Sequence, residues 1–366
     1  MLFPLLRAIL KAELRESGGD PLEFEKIVAE HTARYPHMTP RDYGKLAYQN
    51  AFGPEHLMTD EGGVYERLLE EWNTVPAGIS RREPEDIGNG LCRFYLNDTT
   101  EKELEAKVLV KLFFLTAKTY QGSASALEEN LNILESLPVP GMKQWLESYR
   151  CEGCPPVRHS GEYRKAYSPC YRLLKREYAR FFPALVETAR VLRDKGQAVV
   201  AIDGRCGSGK STLGELMKQV FDCRLFHMDD FYLPQKRRTE NWMSVPGGNM
   251  DLERFQQEVL EPVFAGEEVL YRPFDCGTGS LGGGECFPPK PLTVIEGSYA
   301  HHPALEAPYD LKIFLTCDKG EQRRRLMIRE GDYFPAFEDL WMPLEEQYIR
   351  LCRIEENGAV IFDTAK

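Results

Sequence analysis

The spacing of apolar positions changes about half-way along the chain. In the first half they recur every three to four residues, the period of helices with one buried face. Asp20-Pro21-Leu-Glu23 offers an N-cap, a proline at the first helical position and an acid in the first turn, and an apolar-periodic run to residue 33 follows. Thr39-Pro40-Arg-Asp42 repeats the device before 43–52, and Thr100-Glu-Lys-Glu103 opens 104–117, whose apolar density predicts a core helix. Further helices are predicted at 64–72, 124–134 and 171–193. The apolar start of the chain runs into Lys11-Ala-Glu-Leu-Arg15 and predicts an amphipathic helix rather than a cleaved leader. Stretches rich in Pro and Gly at 76–89 and 137–156 read as linkers, and Lys195-Gly196 as a hand-over.

From Gln197 onward, short apolar runs alternate with helical patterns. Strands are predicted at 198–203, 224–228, 292–296, 311–316 and 359–362, with helices between most of them. Such alternation implies right-handed βαβ crossovers and a parallel sheet covered by helices on both faces. The expected organisation is a mostly α-helical domain at 1–190 followed by an α/β domain at 191–366.

Composition narrows the partners. With 366 residues, two domains are expected. A net charge of −11 argues against a nucleic-acid or anionic-membrane surface, yet leaves room for a local phosphate pocket. No stretch approaches the roughly 18 to 20 apolar residues of a membrane span, so a cytoplasmic protein is expected. Ten cysteines are too sparse for a disulfide scaffold, and several (Cys92, Cys223, Cys317, Cys352) sit in or beside apolar runs. Cys151, Cys154, His159 and Cys170 have part of a zinc-like spacing, but without a second close pair a coincidental cluster is the favoured reading.

The strongest motif follows the first strand of the second half. Gly204-Arg-Cys-Gly207-Ser208-Gly209-Lys210-Ser211-Thr212 fits the phosphate-binding pattern without a mismatch, with a strand before it and a helix predicted at 210–220. Glycines let backbone N–H groups turn around a polyphosphate, and the helix N-terminus adds positive charge. Lys210 would reach the β- and γ-phosphates of ATP, and the Ser211 hydroxyl would ligate Mg²⁺. The second strand ends in Asp229-Asp230, where one carboxylate can take a proton from an attacking hydroxyl. The third ends in Glu296, the position of a magnesium-organising acid. Arg325 and Arg329 share a helix face at the spacing of a lid that clamps the transferring phosphoryl group.

Taken in order, the loop, Asp229-Asp-Phe-Tyr232, Asn249-Met-Asp251, Tyr271-Arg272-Pro-Phe274-Asp275, Glu296-Gly-Ser-Tyr299 and Arg325-x-x-x-Arg329 resemble the uridine kinase-like branch of P-loop kinases. That branch also holds phosphoribulokinase and bacterial pantothenate kinase. The resemblance implies that Asp229 is the catalytic base, Asp251 holds an acceptor hydroxyl, and Glu296 serves magnesium. It also implies that Asp230, Arg272, Phe274 and Tyr299 face the acceptor. Asp230 stands where the family usually has serine, so either aspartate is open as the base. The glycine-rich segment after Asp275 lacks the family's histidine–arginine pair, which weakens uridine as the substrate.

The expected activity is an ATP- and Mg²⁺-dependent kinase acting on a hydroxyl of a nucleoside- or sugar-like molecule. The rival is a nucleotide-dependent switch whose ATP state controls the helical domain and a partner. A small-molecule acceptor is expected, nucleic acid and membrane are not, and a homo-oligomer stays open. Lys236-Arg-Arg238 reads first as solvated charge and second as a seat for an anion on the acceptor. The helical half resembles an uncharacterised domain fused to such kinases. Its two polar–aromatic stretches, Tyr48 through His56 and His159 through Arg172 (with Glu162 and Arg164), read first as buried hydrogen-bonded tyrosines and second as another ligand site.

Overall fold

The computed structural model describes residues 21–54, 60–80 and 82–365, so the expected amphipathic helix at the start of the chain and the pair Glu55-His56 lie outside the described residues. The chain divides into two compact units, Met1–Phe182 and Pro183–Lys366.

In the first unit the helices are α1 (Pro21–Arg34), α2 (Pro40–Phe52), α3 (Glu61–Asn73), α4 (Lys102–Thr119), α5 (Ala124–Glu135), α6 (Met142–Cys151), α7 (Gly161–Tyr167) and the start of α8 (Arg176–Lys195). Thr39 and Asp42 form the expected capping box of α2. Leu46, Ala47, Leu131, Leu134 and Leu146 from three helices share one core, all below 1% exposed.

Three expectations are corrected here. Residues 171–193 are not one helix: Tyr171–Lys175 is strand β3, and only then does α8 begin. The reason is tertiary, because Tyr171 pairs with Tyr95 and Lys175 with Leu91 of β2 (Leu91–Tyr95), a partner invisible to local periodicity. The 76–89 linker contains β1 (Glu85–Gly88), which turns through Asn89-Gly90 into β2, so the half read as helical holds a three-stranded antiparallel sheet. Asn89 and Gly90 both have positive φ, the geometry of a tight hairpin for which Asn-Gly is the standard signal. The 137–156 linker holds α6, whose Met142, Leu146 and Tyr149 are buried despite its low overall hydrophobicity.

In the second unit all five expected strands form. β4 (Ala198–Gly204), β5 (Cys223–His227), β10 (Leu292–Glu296), β11 (Leu311–Thr316) and β12 (Val360–Asp363) make one parallel sheet in the order β12-β11-β4-β10-β5. β4 is central and buried nearly throughout, as a strand covered on both faces should be. Helices flank the sheet, with α9 (Lys210–Val220) packed on β4, β5 and β10. Short pairs β6–β9 (Val269–Tyr271, Glu285–Phe287) and β7–β8 (Phe274–Asp275, Ser280–Leu281) form an excursion before β10. α10 (Leu252–Phe255) and α11 (Glu261–Ala265) precede it, and α12 (Lys319–Glu330) and α13 (Met342–Leu351) follow β11. The order reverses on either side of β4, which makes its carboxyl end the place where a doubly wound sheet opens a ligand crevice.

Candidate functional site

The loop after β4 is an anion cradle by construction. Gly204 has φ +144°, and a Cβ there would lie 2.1 Å from the Leu315 carbonyl oxygen, so the position excludes every other residue. Gly209, at φ +98°, caps α9 without a side chain, which leaves the first-turn amides facing the loop. The loop carbonyls are tied away. Lys210 Nζ donates to Gly204 O (2.8 Å) and Arg205 O (3.2 Å), Gln322 to Cys206 O, Arg325 to Gly207 O and Thr364 to Ser208 O. With the acceptors spent, donors remain: the amides of Gly207, Gly209 and Lys210 take no protein partner among the described residues. The Ser208 hydroxyl is buried and unpartnered, and Thr212 is half-buried one turn into α9. A polyphosphate fits this donor set.

The carboxyl ends of β5 and β10 lie beside the loop strand, with Glu296 in register with both Ile202 and His227. Glu296 is buried, and its Oε2 accepts the Ser211 hydroxyl at 3.3 Å. A hydroxyl and a carboxylate converging beside a phosphate cradle are hard oxygen donors, the set a Mg²⁺ shared with phosphates requires. Glu296 Oε1 meets His227 Nδ1 at 2.5 Å. Burial works against the His227 charge, but the Glu296 carboxylate outweighs it and raises the imidazole pKa. His227 was not anticipated, although its place two residues before Asp229 at a strand end was the available signal.

The two aspartates separate. Asp230 Oδ2 accepts the Tyr271 hydroxyl at 2.6 Å, and its backbone oxygen accepts Arg254. Asp229 is open to solvent on the cleft side and meets only the Tyr232 hydroxyl, at 3.3 Å. Crowding within the cleft and the nearby Glu296 charge raise the Asp229 pKa, with Lys210 pulling the other way.

Asp251 caps α10, and its Oδ2 accepts Arg237 at 2.8 Å, so the middle residue of the basic triplet is paired while its side chain stays 59% exposed. Arg238 lies 5.0 Å from the Trp242 ring. Arg272 is turned to Glu258 and not to either aspartate. Phe274 is half-buried on β7, which packs beside the Met228–Phe231 turn. Tyr299 is buried, its ring 4.7 Å from that of Tyr348, and it belongs to the core beneath the site. On α12, Arg325 spends its fork on Glu321, Gly207 O and Thr364, behind the loop. Arg329 is half-exposed, next to Glu330 and 5.4 Å from the Phe337 ring. Glu345 also enters the site with no motif to announce it, and Arg205, within the loop motif, ties the loop to Glu346.

The first unit gathers its polar stretches into a buried network. Asp42 Oδ1 accepts from His159 Nδ1 (2.9 Å), and the other ring nitrogen meets the Tyr171 hydroxyl at 2.7 Å. Gln49 joins Tyr171 to Arg93, whose guanidinium pairs with Glu85 at 3.3 Å, both side chains at most 2% exposed. Arg164 reaches only Ser160 O, and Glu162 is exposed. Cys151, Cys154 and Cys170 are free thiols, His159 is occupied, and no cluster of metal ligands occurs among the described residues.

The central loop strand, the five-stranded parallel order and the acids at the neighbouring strand ends define the second unit as a P-loop NTPase domain. No protein family matches the sequence, and no curated protein does. Solved structures do. One described as a possible uridine kinase from Bacillus stearothermophilus is 20% identical, over 50% of this chain and 97% of that one, with a TM-score of 0.39. A fructose transport system kinase candidate from Silicibacter sp. TM1040 is 24% identical over 47% and 90%, TM-score 0.36. The YGR205w protein is 18% identical over 52% and 94%, TM-score 0.35. Among the described residues no helix is long and apolar enough to cross a membrane.

Proposed function

We propose that the second unit is an ATP- and Mg²⁺-dependent small-molecule kinase that phosphorylates a hydroxyl of a nucleoside- or sugar-like acceptor. The observation that carries the reading is the division of labour between neighbouring aspartates: Asp230 is fixed by Tyr271 at 2.6 Å, and Asp229 is exposed, with the Tyr232 hydroxyl near it at 3.3 Å. The loop amides and Lys210, released from its carbonyls, hold the phosphates. Ser211 and Glu296 hold Mg²⁺, which supplies charge neutralisation when bound. Asp229 accepts the hydroxyl proton as the acceptor oxygen attacks the γ-phosphorus and the bond to the β,γ-bridging oxygen breaks, with ADP leaving. Its raised pKa suits a base that must take up that proton. Asp251 orients the acceptor once Arg237 gives way. Arg329 meets charge on the transferring group, while Arg325 keeps the loop in shape from behind. Almost all of the acceleration then comes from positioning and electrostatics.

The test is Mg·ATP turnover across nucleosides, sugars and vitamin precursors, comparing wild type with Asp229→Asn. Acceptor-stimulated ADP release, with a phosphorylated product that disappears in the variant, supports the kinase. Slow ATPase that ignores every acceptor overturns it in favour of a nucleotide switch.

A further inference from the structure

One carboxylate sits on the phosphate loop itself. Glu345 projects from α13 and is buried. Its Oε2 accepts the Cys206 N–H at 2.8 Å, and its Oε1 accepts the Ser298 hydroxyl at 2.5 Å. Cys206 is the third residue of the loop that opens at Gly204. Loops of this kind bind anions through inward-turned amides, so an amide of the cradle is already taken by an anion of the protein's own. The neighbouring cation does not compensate it. Arg205 is spent on Glu346 and Glu355, which leaves neutral donors to hold Glu345, an arrangement that costs desolvation.

The place of this charge matters. After burial and Glu296, Glu345 is among the charges that raise the Asp229 carboxyl, and it acts on the Tyr299 hydroxyl as well. Its bond to the Cys206 N–H places the carboxylate at the opening end of the loop. The helix that carries it also reaches the segment between Arg237 and Asp251: Gln347 donates to Ser244 O, and Trp341 at the N-cap of α13 lies 6.5 Å from Trp242, ring to ring.

We propose that Glu345 is a positioning residue that reads the terminal charge of the nucleotide, its carboxylate opposing a γ-phosphate at Cys206 while leaving a diphosphate unopposed. The inference rests on the reading of the loop as a nucleoside-triphosphate site. A triphosphate that seats fully must push the carboxylate off Cys206. Because α13 also touches Ser244 and Trp242, that movement is transmitted to the segment between Arg237 and Asp251. Arg205 keeps its own anchors, so neutralising Glu345 leaves the loop shaped.

The experiment is calorimetric titration of wild type, Glu345→Gln and Ser298→Ala with Mg·ADP and with the Mg complex of the β,γ-imido analogue of ATP. Lys210→Ala is the control. Glu345→Gln is expected to bind the triphosphate about tenfold more tightly with ADP affinity unchanged. Ser298→Ala, which removes one donor from the carboxylate, shifts the ratio in the same direction by less. Parallel changes for both nucleotides, an unchanged ratio, or weaker triphosphate binding overturns the inference. If Glu345→Gln does not fold, the Ser298→Ala ratio decides. Binding by wild type that is lost in Lys210→Ala upholds the nucleotide reading whatever the ratio does. A wild type that binds neither nucleotide overturns that reading and this inference together.

Discussion

Acid should loosen the helical unit through one histidine. His159 is buried between Asp42 and Tyr171 and stacks on Tyr163 with ring centroids 4.1 Å apart. Burial above all, with Arg93 and Lys45 nearby, lowers its pKa from 6.5 to about 4 in spite of the Asp42 bond. Neutral His159 donates from Nδ1 to Asp42 and accepts the Tyr171 hydroxyl at Nε2; a second proton would turn that acceptor into a donor. The sign follows from linkage. Between pH 6.5 and 4 the unfolded chain binds the proton and the folded one does not, so stability falls as the solution is acidified. From pH 7 to pH 5 the loss is about 2 kcal/mol, with 1.36 kcal/mol per unit of pKa difference. Asp42, whose pKa the His159 and Ser160 bonds lower against the cost of its burial, adds a loss in the same direction only below its ordinary range. Urea unfolding at the two pH values measures this, in a Trp242→Phe/Trp341→Phe background where Trp72 and Trp145 report the helical unit alone. His159→Asn retains a donor toward Asp42 and should be less stable at pH 7, but it should lose about 2 kcal/mol less on acidification. Equal losses in parent and variant would refute the assignment to His159.

Three further outcomes are expected. Lys210→Ala should weaken Mg·ATP binding on the order of 100-fold, roughly 2 to 3 kcal/mol, measured by calorimetry with the fold checked by circular dichroism. Gly204→Ala should destabilise the second unit by about 2 to 4 kcal/mol in a thermal scan, because the added methyl meets the Leu315 carbonyl at 2.1 Å and a positive φ is strained for alanine. Arg93→Met removes the buried one of the two arginines paired with Glu85, leaving it to the exposed Arg34 and two tyrosine hydroxyls, and should cost about 2 to 4 kcal/mol, while adding Glu85→Gln should recover part of the loss in a double-mutant cycle.

The second unit is legible because its determinants are local. A loop whose glycines are demanded by backbone geometry, followed at once by a helix, is written into nine consecutive residues, Gly204 to Thr212. The five strands are short buried runs bounded by turn residues, which periodicity alone detects. What escaped was the contribution of distant chain. Glu345 lies 139 positions from Cys206 and His227 lies 69 from Glu296, and of the two only His227, two residues before Asp229 at a strand end, has a local signal. The separation of Asp229 from Asp230 also needed Tyr271, because two adjacent carboxylates are equivalent until a hydroxyl chooses one.

The helical unit is less legible for a related reason. Its polar core is assembled from Asp42, Gln49, Glu85, Arg93, His159 and Tyr171; the stretches around Gln49, His159 and Tyr171 read as buried hydrogen-bonded groups, but nothing in the sequence marks Asp42, Glu85 and Arg93 as their partners. Burial of such groups is tolerated only when every partner is present, and those partners come from α2, β1, β2, β3 and the loop before α7 together. The strand Tyr171–Lys175 illustrates the dependence. Read alone it continues a helical pattern into α8, but its ladder with β2 places Tyr171 against Tyr95 and brings its hydroxyl to His159. A network that forms only when these segments meet leaves no periodic trace, whereas the Asn89-Gly90 turn that starts its sheet was a local signal standing in plain view. The asymmetry is physical: turns and phosphate loops are specified by the conformations of a few adjacent residues, and buried polar networks by the meeting of residues the chain keeps apart.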